Sequence, residues 1–313
     1  MEFLTDIGQF TDFMASSLRL AVPIAFAALG GVLAERSGVL NIGLEGMMLA
    51  GAFGAAIGAF ATGSPIIGLA CGILMGAVGG LLLGVLAVSW RINQLVAGIA
   101  INLLFAGMTS FLARQLFGEE MGRATVEGFG KIAIPGLSAI PIVGPAVFNQ
   151  DPLTYLLYVL APVSSWLLFK TSWGLSLRGT GENPRAADSS GVAVFRLRYA
   201  ALIGSGMLAA IGGAQLVLSQ IHLFAENMSA GKGFIALAAV ILGRWNPALA
   251  ILAALFFGMC DAAQLRLQFV NPEIPYQVFL ILPYLASIVA LVGLVGVVRA
   301  PEALGAPYDR EGR

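Results

Sequence analysis

Ala27-Ala28-Leu29-Gly30-Gly31 returns 182 residues later as Ala209-Ala210-Ile211-Gly212-Gly213. Each copy is followed by a polar break and then by a small-residue helix carrying one charge near its start. In the first half that segment is Asn41-Ile42-Gly43-Leu44-Glu45-Gly46-Met47-Met48, and in the second Met228-Ser229-Ala230-Gly231-Lys232-Gly233-Phe234-Ile235. The offset grows to 187 residues at the charged position, which a five-residue difference in loop length accounts for. Two related halves around a central path is a common way to build a transporter. The repeat therefore predicts transport before any chemical motif is considered.

Composition supports a membrane setting. The chain is 58% hydrophobic and 11% charged, with mean hydropathy +0.88. A soluble domain carries roughly 25% charged residues, so this chain cannot cover a water-facing surface. Apolar stretches of about 20 residues, the length that crosses a bilayer core, recur from end to end. The expected fold class is all-α, a polytopic transmembrane bundle. Its 40 glycines, with abundant alanine, suit helices whose backbones approach closely, because small residues are the packing device in lipid. Zero formal net charge gives no argument for a nucleic-acid partner. The two cysteines, Cys71 and Cys260, sit in separate apolar segments and read as small buried hydrophobes. Residues 1–20 hold Glu2, Asp6 and Asp12 without a basic leader region, so they do not read as a signal peptide.

The predicted spans are 15–34, 44–62, 65–88, 94–113, 152–169, 199–219, 233–243, 247–268 and 276–298, about nine crossings. The seventh is short and is expected to dip, break or lean on the eighth at Asn246-Pro247. The 114–151 loop carries Glu119, Glu120, Glu127 and Asp151 against Arg114, Arg123 and Lys131. The 170–198 loop carries Lys170, Arg178, Arg185, Arg196 and Arg198 against Glu182 and Asp188. Basic residues in short loops mark the cytoplasmic side. By that rule 170–198 is cytoplasmic and 114–151 external. Arg91, the Glu35-Arg36 turn, Arg244 and the 299–313 tail then also fall inside. Repeat half one (about 15–113) starts outside and half two (about 199–298) starts inside, so the halves are expected to be inverted within a single permease domain spanning 1–313. A substrate path is then expected at their interface, near the midplane.

In the cytoplasmic loop, Asn183 followed by Pro184 is a helix-start signal, Arg185-Ala186-Ala187-Asp188 continues helically, and Gly191 ends the turn. So short a helix cannot cross a membrane. Held in a loop of this length it suits docking into a groove on another protein, since long loops without a role are uncommon.

The stretch from Ala34-Glu35-Arg36-Ser37-Gly38-Val39-Leu40-Asn41 through Ile42-Gly43-Leu44-Glu45-Gly46-Met47-Met48 to Leu49-Ala50-Gly51-Ala52-Phe53 resembles the signature of nucleoside-type ABC importer permeases. These belong to the larger ribose and branched-chain amino-acid ABC permease family. Gly181-Glu182-Asn183-Pro184-Arg185-Ala186-Ala187 resembles that family's cytoplasmic coupling helix, and Gly231-Lys232-Gly233-Phe234-Ile235-Ala236-Leu237 with Ala238-Ala239-Val240-Ile241 its second-half counterpart. The resemblance covers nearly the whole chain. It implies a permease subunit of a bacterial plasma-membrane importer for nucleosides or related ribosides and sugars. Its implied partners are ABC ATPase subunits that hold ATP-Mg, a second and different permease, and an extracytoplasmic substrate-binding lipoprotein. It also implies that Glu182 to Asp188, with Gly191, contact the ATPase. No Gly-x-x-x-x-Gly-Lys-Ser/Thr phosphate loop occurs in the sequence, in keeping with energy supplied by another chain. The rival reading, an ion-coupled secondary transporter of small polar solutes, would need membrane carboxylates, for which Glu45 and Asp261 are the candidates.

Substrate-path candidates follow from chemistry. Glu45 and Lys232 hold matching repeat positions with opposite charge, and a charge inside a membrane segment is costly unless used. Each also has a plain structural reading, at a hydrated helix end. A direct pair is disfavoured, because inverted copies place the two segment starts near opposite faces unless both dip inward. Asn93, Gln94 and Asn102 cluster near the start of the fourth span, where amides offer both donors and acceptors to ribose and base. Phe53, Phe105 and Phe234 are candidates to stack on a base. For all of these, interhelical bonding or packing is the competing reading. His222 stands alone and builds no metal site. Neither a catalytic set nor a cofactor or metal site is expected in this chain.

Overall fold

The computed structural model describes residues 7–118, 125–270, 273, 275–293 and 299–309. Glu2, Asp6, Glu119, Glu120, Arg123, the last five residues of the expected 276–298 span and the last four of the tail lie outside these. The helices are α1 (Ile7–Arg36), α2 (Leu44–Thr62), α3 (Pro65–Gly84), α4 (Gln94–Phe117), α5 (Val143–Val147), α6 (Pro152–Lys170), α7 (Ser172–Glu182), α8 (Pro184–Ser189), α9 (Val194–Gln215), α10 (Lys232–Leu242), α11 (Pro247–Val270), α12 (Tyr276–Leu280) and α13 (Leu282–Gly293). Single π-helical turns extend α3 over Val85–Ser89 and α9 over Leu216–Ile221. A two-residue antiparallel pair, β1 (Ile132–Ala133) with β2 (Asn149–Gln150), staples the 114–151 connector.

Among the described residues seven helices are long and apolar enough to cross a membrane. The expected count of nine is met only if two shorter segments are added. α10 is 11 residues long, started by Gly231 in the left-handed region (φ 84°) and stopped at a turn where Arg244 and Trp245 are also left-handed. The 276–298 segment breaks between α12 and α13, where Pro283 lacks the N–H that a continuous helix needs.

α9 is the hub, packing against α1, α2 and α3. Glycine sets these approaches. A Cβ on Gly30 would meet the Ser205 carbonyl at 2.6 Å, and one on Gly212 the Pro23 carbonyl at 2.5 Å. Residue numbers rise on α1 as they fall on α9, so the two helices, and the two Ala-Ala-x-Gly-Gly motifs within them, run antiparallel. α3 carries glycine at every fourth position, Gly68, Gly72, Gly76, Gly80 and Gly84. One end of this stripe lies on α2 at Ala55 and Gly51, the other on α9 at Gly206, Leu202 and Tyr199. Close backbone packing through small residues replaces hydrophobic burial as the cohesive term in lipid. α2 is enclosed along most of its length, whereas α3, α4, α6 and α11 turn much of their apolar surface outward.

Candidate translocation and coupling sites

The first site is the junction between the starts of α2 and α10. Glu45, in the first turn of α2, is buried, and its carboxylate points at the other helix. Oε1 accepts from the Ser229 hydroxyl (2.6 Å) and the Gly231 N–H (2.8 Å), and Oε2 accepts from the Gly233 N–H (2.6 Å). The first N–H groups of any helix lack intrahelical partners and carry its positive dipole end, so a carboxylate there is doubly favoured. Gly233 permits this approach: a Cβ would stand 2.5 Å from the Glu45 nitrogen. The two segment starts therefore do meet, against the expectation that they lie on opposite faces. Even so, Glu45 and Lys232 form no ion pair within 4 Å. Glu45 caps the opposite helix instead.

The polar break before α2 is fixed from two further sides. Buried Asn41 donates to Ser205 Oγ on α9 (2.8 Å) and accepts from the Gly43 N–H (3.0 Å). Asn102 on α4 accepts from the Gly46 N–H (2.7 Å) and donates to the Ile42 carbonyl (2.9 Å). Gln94 accepts from the Leu40 N–H at 2.6 Å. Asn93 is exposed and caps α4, accepting from the Leu95 and Val96 N–H groups. Phe53 and Phe105 are each 1% exposed; Phe53 packs edge-on against Phe224, its ring centroid 5.4 Å away. Phe234 is about half exposed. The structure thus gathers Glu45, Gln94 and Asn102 around one turn. It leaves Asn93 at the surface, Phe53 and Phe105 in the core and Phe234 on the outer face of α10. Lys232 turns away from Glu45 into a cavity beside Asp261 and Gln264. Asn41, Ser205 and Ser229 belong to the junction, and the sequence assigned them no role; Asn41 and Ser229 lie four and three residues before Glu45 and Lys232, whereas nothing in the sequence near Ser205 pointed to it.

The second site is the 170–198 connector, which is more ordered than the sequence suggested. Thr171 caps an 11-residue helix, α7, accepting from the Gly174 N–H (3.1 Å). Glu182 ends α7, and Asn183 caps α8, accepting from the Ala186 N–H at 3.0 Å. Pro184 occupies the first helical position, Arg185, Ala186, Ala187 and Asp188 follow, and Gly191 takes the left-handed conformation after the helix (φ 85°). None of the α8 residues is buried.

The base of this connector is tied to the rest of the fold. Thr180 donates to the Ser37 carbonyl (3.3 Å), and Gly181 lies against Arg36 and Gly38. Residues 301–309 cross the same face. The Ala303 N–H donates to the Gly181 carbonyl (2.9 Å), the Gly305 N–H to the Gly38 carbonyl (3.3 Å), and Arg91 forms a two-point ion pair with Asp309 at 2.7 and 2.9 Å. Buried Tyr308 packs against Phe195 and under the Arg198 guanidinium. Arg36 in turn donates to the Trp245 carbonyl (2.8 Å), and the Trp245 indole donates to Glu35. The exposed helix α8 thus stands on a base fastened to the ends of α1 and α10 and to the turn before α2.

Residues 13–298 match the family model described as branched-chain amino acid transport system / permease component. The chain belongs to this family. It is a permease component of an ABC transporter, lodged in the membrane by several passes, and the ATPase resides on another subunit. Ion-coupled secondary transport is set aside on the same ground. Over 97% of its length the permease is 39% identical to the guanosine ABC transporter permease protein NupQ of Bacillus subtilis, covering 98% of that protein. It is 35% identical to the nucleoside ABC transporter permease protein NupC of Lactococcus lactis, over 96% of this chain and 98% of that one. It is also 33% identical to the putative glucose ABC transporter permease protein TsgC13 of Haloferax volcanii, over 95% and 97%. No solved structure matches it.

Proposed function

We propose that this permease forms half of the translocation path of a nucleoside importer, with guanosine as the leading substrate. The observation that carries the reading is end-to-end similarity, at 39% and 35% identity, to permeases named for guanosine and for nucleosides. A sugar is the second reading, favoured by the 33% identity to a permease named for glucose.

In this reading the connector face is cytoplasmic, by the excess of basic residues in 170–198, and the 114–151 side receives the substrate-binding lipoprotein. α8, standing proud with Glu182 to Asp188 and Gly191, docks on an ATPase subunit that holds ATP-Mg. Its displacement passes through the Thr180–Ser37 and Gly181–Gly38 contacts to the end of α1 and the turn before α2, and through Arg36 to the end of α10. The antiparallel run of α1 and α9 supports an inverted arrangement of the halves 15–113 and 199–298. Glu45, Gln94 and Asn102 hold the scaffold of the path, Lys232 lines it, and the second permease is a different, related chain. The exposure of Phe234 and Asn93 supports a role for both at the rim of the path.

Uptake of radiolabelled guanosine by inverted-free membrane vesicles, with and without block of ATP hydrolysis, tests the assignment. Guanosine uptake that stops with ATP hydrolysis and is not displaced by excess glucose is expected. Glucose uptake without guanosine uptake would replace it by the sugar reading. A cysteine placed at Asp188 is expected to crosslink to the ATPase subunit in the intact complex, and failure there would remove the coupling role of α8.

A further inference from the structure

Glu45 and Asp261 both stand within apolar helices, Glu45 buried and Asp261 partly buried, and the structure treats them differently. Glu45 spends its oxygens on Ser229, Gly231 and Gly233. Asp261, near the middle of the 24-residue α11, lines a cavity of about 170 Å³ between α1, α10, α11 and α13 together with Lys232, Gln264, Tyr284, Leu20 and Ile235. The Lys232 ammonium attracts the Asp261 carboxylate but stands beyond ion-pair distance, and among the described residues neither belongs to a salt bridge. Tyr284 reaches the same corner, its hydroxyl 3.3 Å from where a Cβ on Gly231 would stand. A second recess of about 290 Å³, lined by Asp12, Ser16 and Arg266, adjoins the first at Leu265. Polar groups therefore run from the start of α1 near Asp12 to the start of α10.

A charge held at this depth is expensive and is kept for use. A carboxylate left unspent by the scaffold has about four acceptor directions; an ammonium has three donors, and a glutamine amide offers both kinds. That set complements a neutral solute bearing a vicinal diol. The carboxylate takes the two hydroxyls together, Lys232 and Gln264 donate to ring or carbonyl oxygens, and the half-exposed Tyr284 ring offers a flat apolar face.

We propose that the Asp261–Lys232–Gln264–Tyr284 cavity is a recognition site for the vicinal diol of the permeating solute, with Asp261 accepting from both hydroxyls. The proposal rests on the nucleoside reading above for the identity of the diol as a ribose. A site built around a hydroxyl rejects the analogue lacking it, because its polar groups are then left unpaired.

The test is made on the complete transporter in proteoliposomes, with the same binding protein throughout, so that a change in selectivity between variants belongs to this chain. Guanosine and 2′-deoxyguanosine are compared by kcat/KM in wild type, Asp261→Asn, Gln264→Leu, Lys232→Gln and, as a control on the outer face of α13, Leu285→Ala. Loss of one charge-assisted hydrogen bond is expected to shrink the preference for guanosine about 10-fold in Asp261→Asn. Gln264→Leu and Lys232→Gln are expected to shrink it less, and Leu285→Ala to leave it unchanged. Should Asp261→Asn fail to assemble with the ATPase, the other two variants carry the same reading. An unchanged preference in every assembled cavity variant, with wild type transporting guanosine, overturns this site and leaves the nucleoside reading standing. Transport of glucose but not guanosine by wild type overturns the nucleoside reading and, with it, the assignment of the diol to a ribose.

Discussion

Replacing Glu45 separates a capping carboxylate from an ion-paired one. Glu45→Ala leaves the Gly231 and Gly233 N–H groups and the Ser229 hydroxyl without their acceptor. The hydroxyl can rotate, but the two backbone donors are fixed by α10. A buried donor deprived of its partner costs about 1–3 kcal/mol, so the pair costs about 2–6 kcal/mol. Lost interaction with the α10 dipole, up to about 2 kcal/mol in partly buried geometry, pushes the figure toward the upper end. Glu45→Gln keeps the shape and one carbonyl oxygen but turns an amide N–H₂ toward a backbone donor, and about 1–3 kcal/mol is expected. Unfolding in mild detergent under a denaturant titration should rank wild type above Glu45→Gln above Glu45→Ala. A double-mutant cycle then identifies the partner. Glu45→Ala with Ser229→Ala should show coupling of about 0.5–3 kcal/mol, as residues in one network do, and Glu45→Ala with Lys232→Met less than about 0.5 kcal/mol. Equal stability of all three proteins, or strong coupling to Lys232 with none to Ser229, would refute the capping assignment.

Two glycines, one in the α3 stripe and one on α4, are expected to respond in opposite directions. Gly80→Leu drives a side chain into the Leu202 backbone and should cost about 3 kcal/mol or more, read as loss of folded protein on size-exclusion. Gly107→Ala on α4, where a Cβ meets nothing within 4 Å, should raise stability by about 0.5–1 kcal/mol through helix propensity alone. At the surface, Arg114 grips Glu226 at 2.7 and 3.0 Å and holds its carboxyl below the ordinary 4.5. Stability from this pair is therefore in place above pH 4.5 and lost as pH falls through the lowered value; Glu226→Gln should flatten the acid limb of an unfolding-versus-pH curve, by little, since the pair is exposed.

What was legible in the sequence was what each residue costs; the structure adds what each residue meets. A low charged fraction and repeated apolar stretches predict membrane helices, because lipid offers no other way to satisfy a backbone. Asn183-Pro184 predicts the start of α8, because capping and proline act within four residues. The same locality explains the misses. α7 mixes glycine, serine and arginine over 11 residues, so its propensity is weak. It holds because Thr171 caps it and because Gly181 fits against Gly38, 143 positions earlier in the chain. The stripe at Gly68, Gly72, Gly76, Gly80 and Gly84 was on the page as a period of four, yet its partner, α9, lies more than a hundred residues away. Glu45 shows the limit most plainly. Its charge alone says that it must be answered, and Lys232 matches by sign, though the expected inverted placement already disfavoured a direct pair. The answer is instead an uncharged helix start, because Gly231 and Gly233 let α10 bring two N–H groups within 2.8 Å of the carboxylate, closer than a flexible ammonium is held. That substitution frees Lys232 to face Asp261, so one helix terminus both closes the scaffold and opens the cavity beside it.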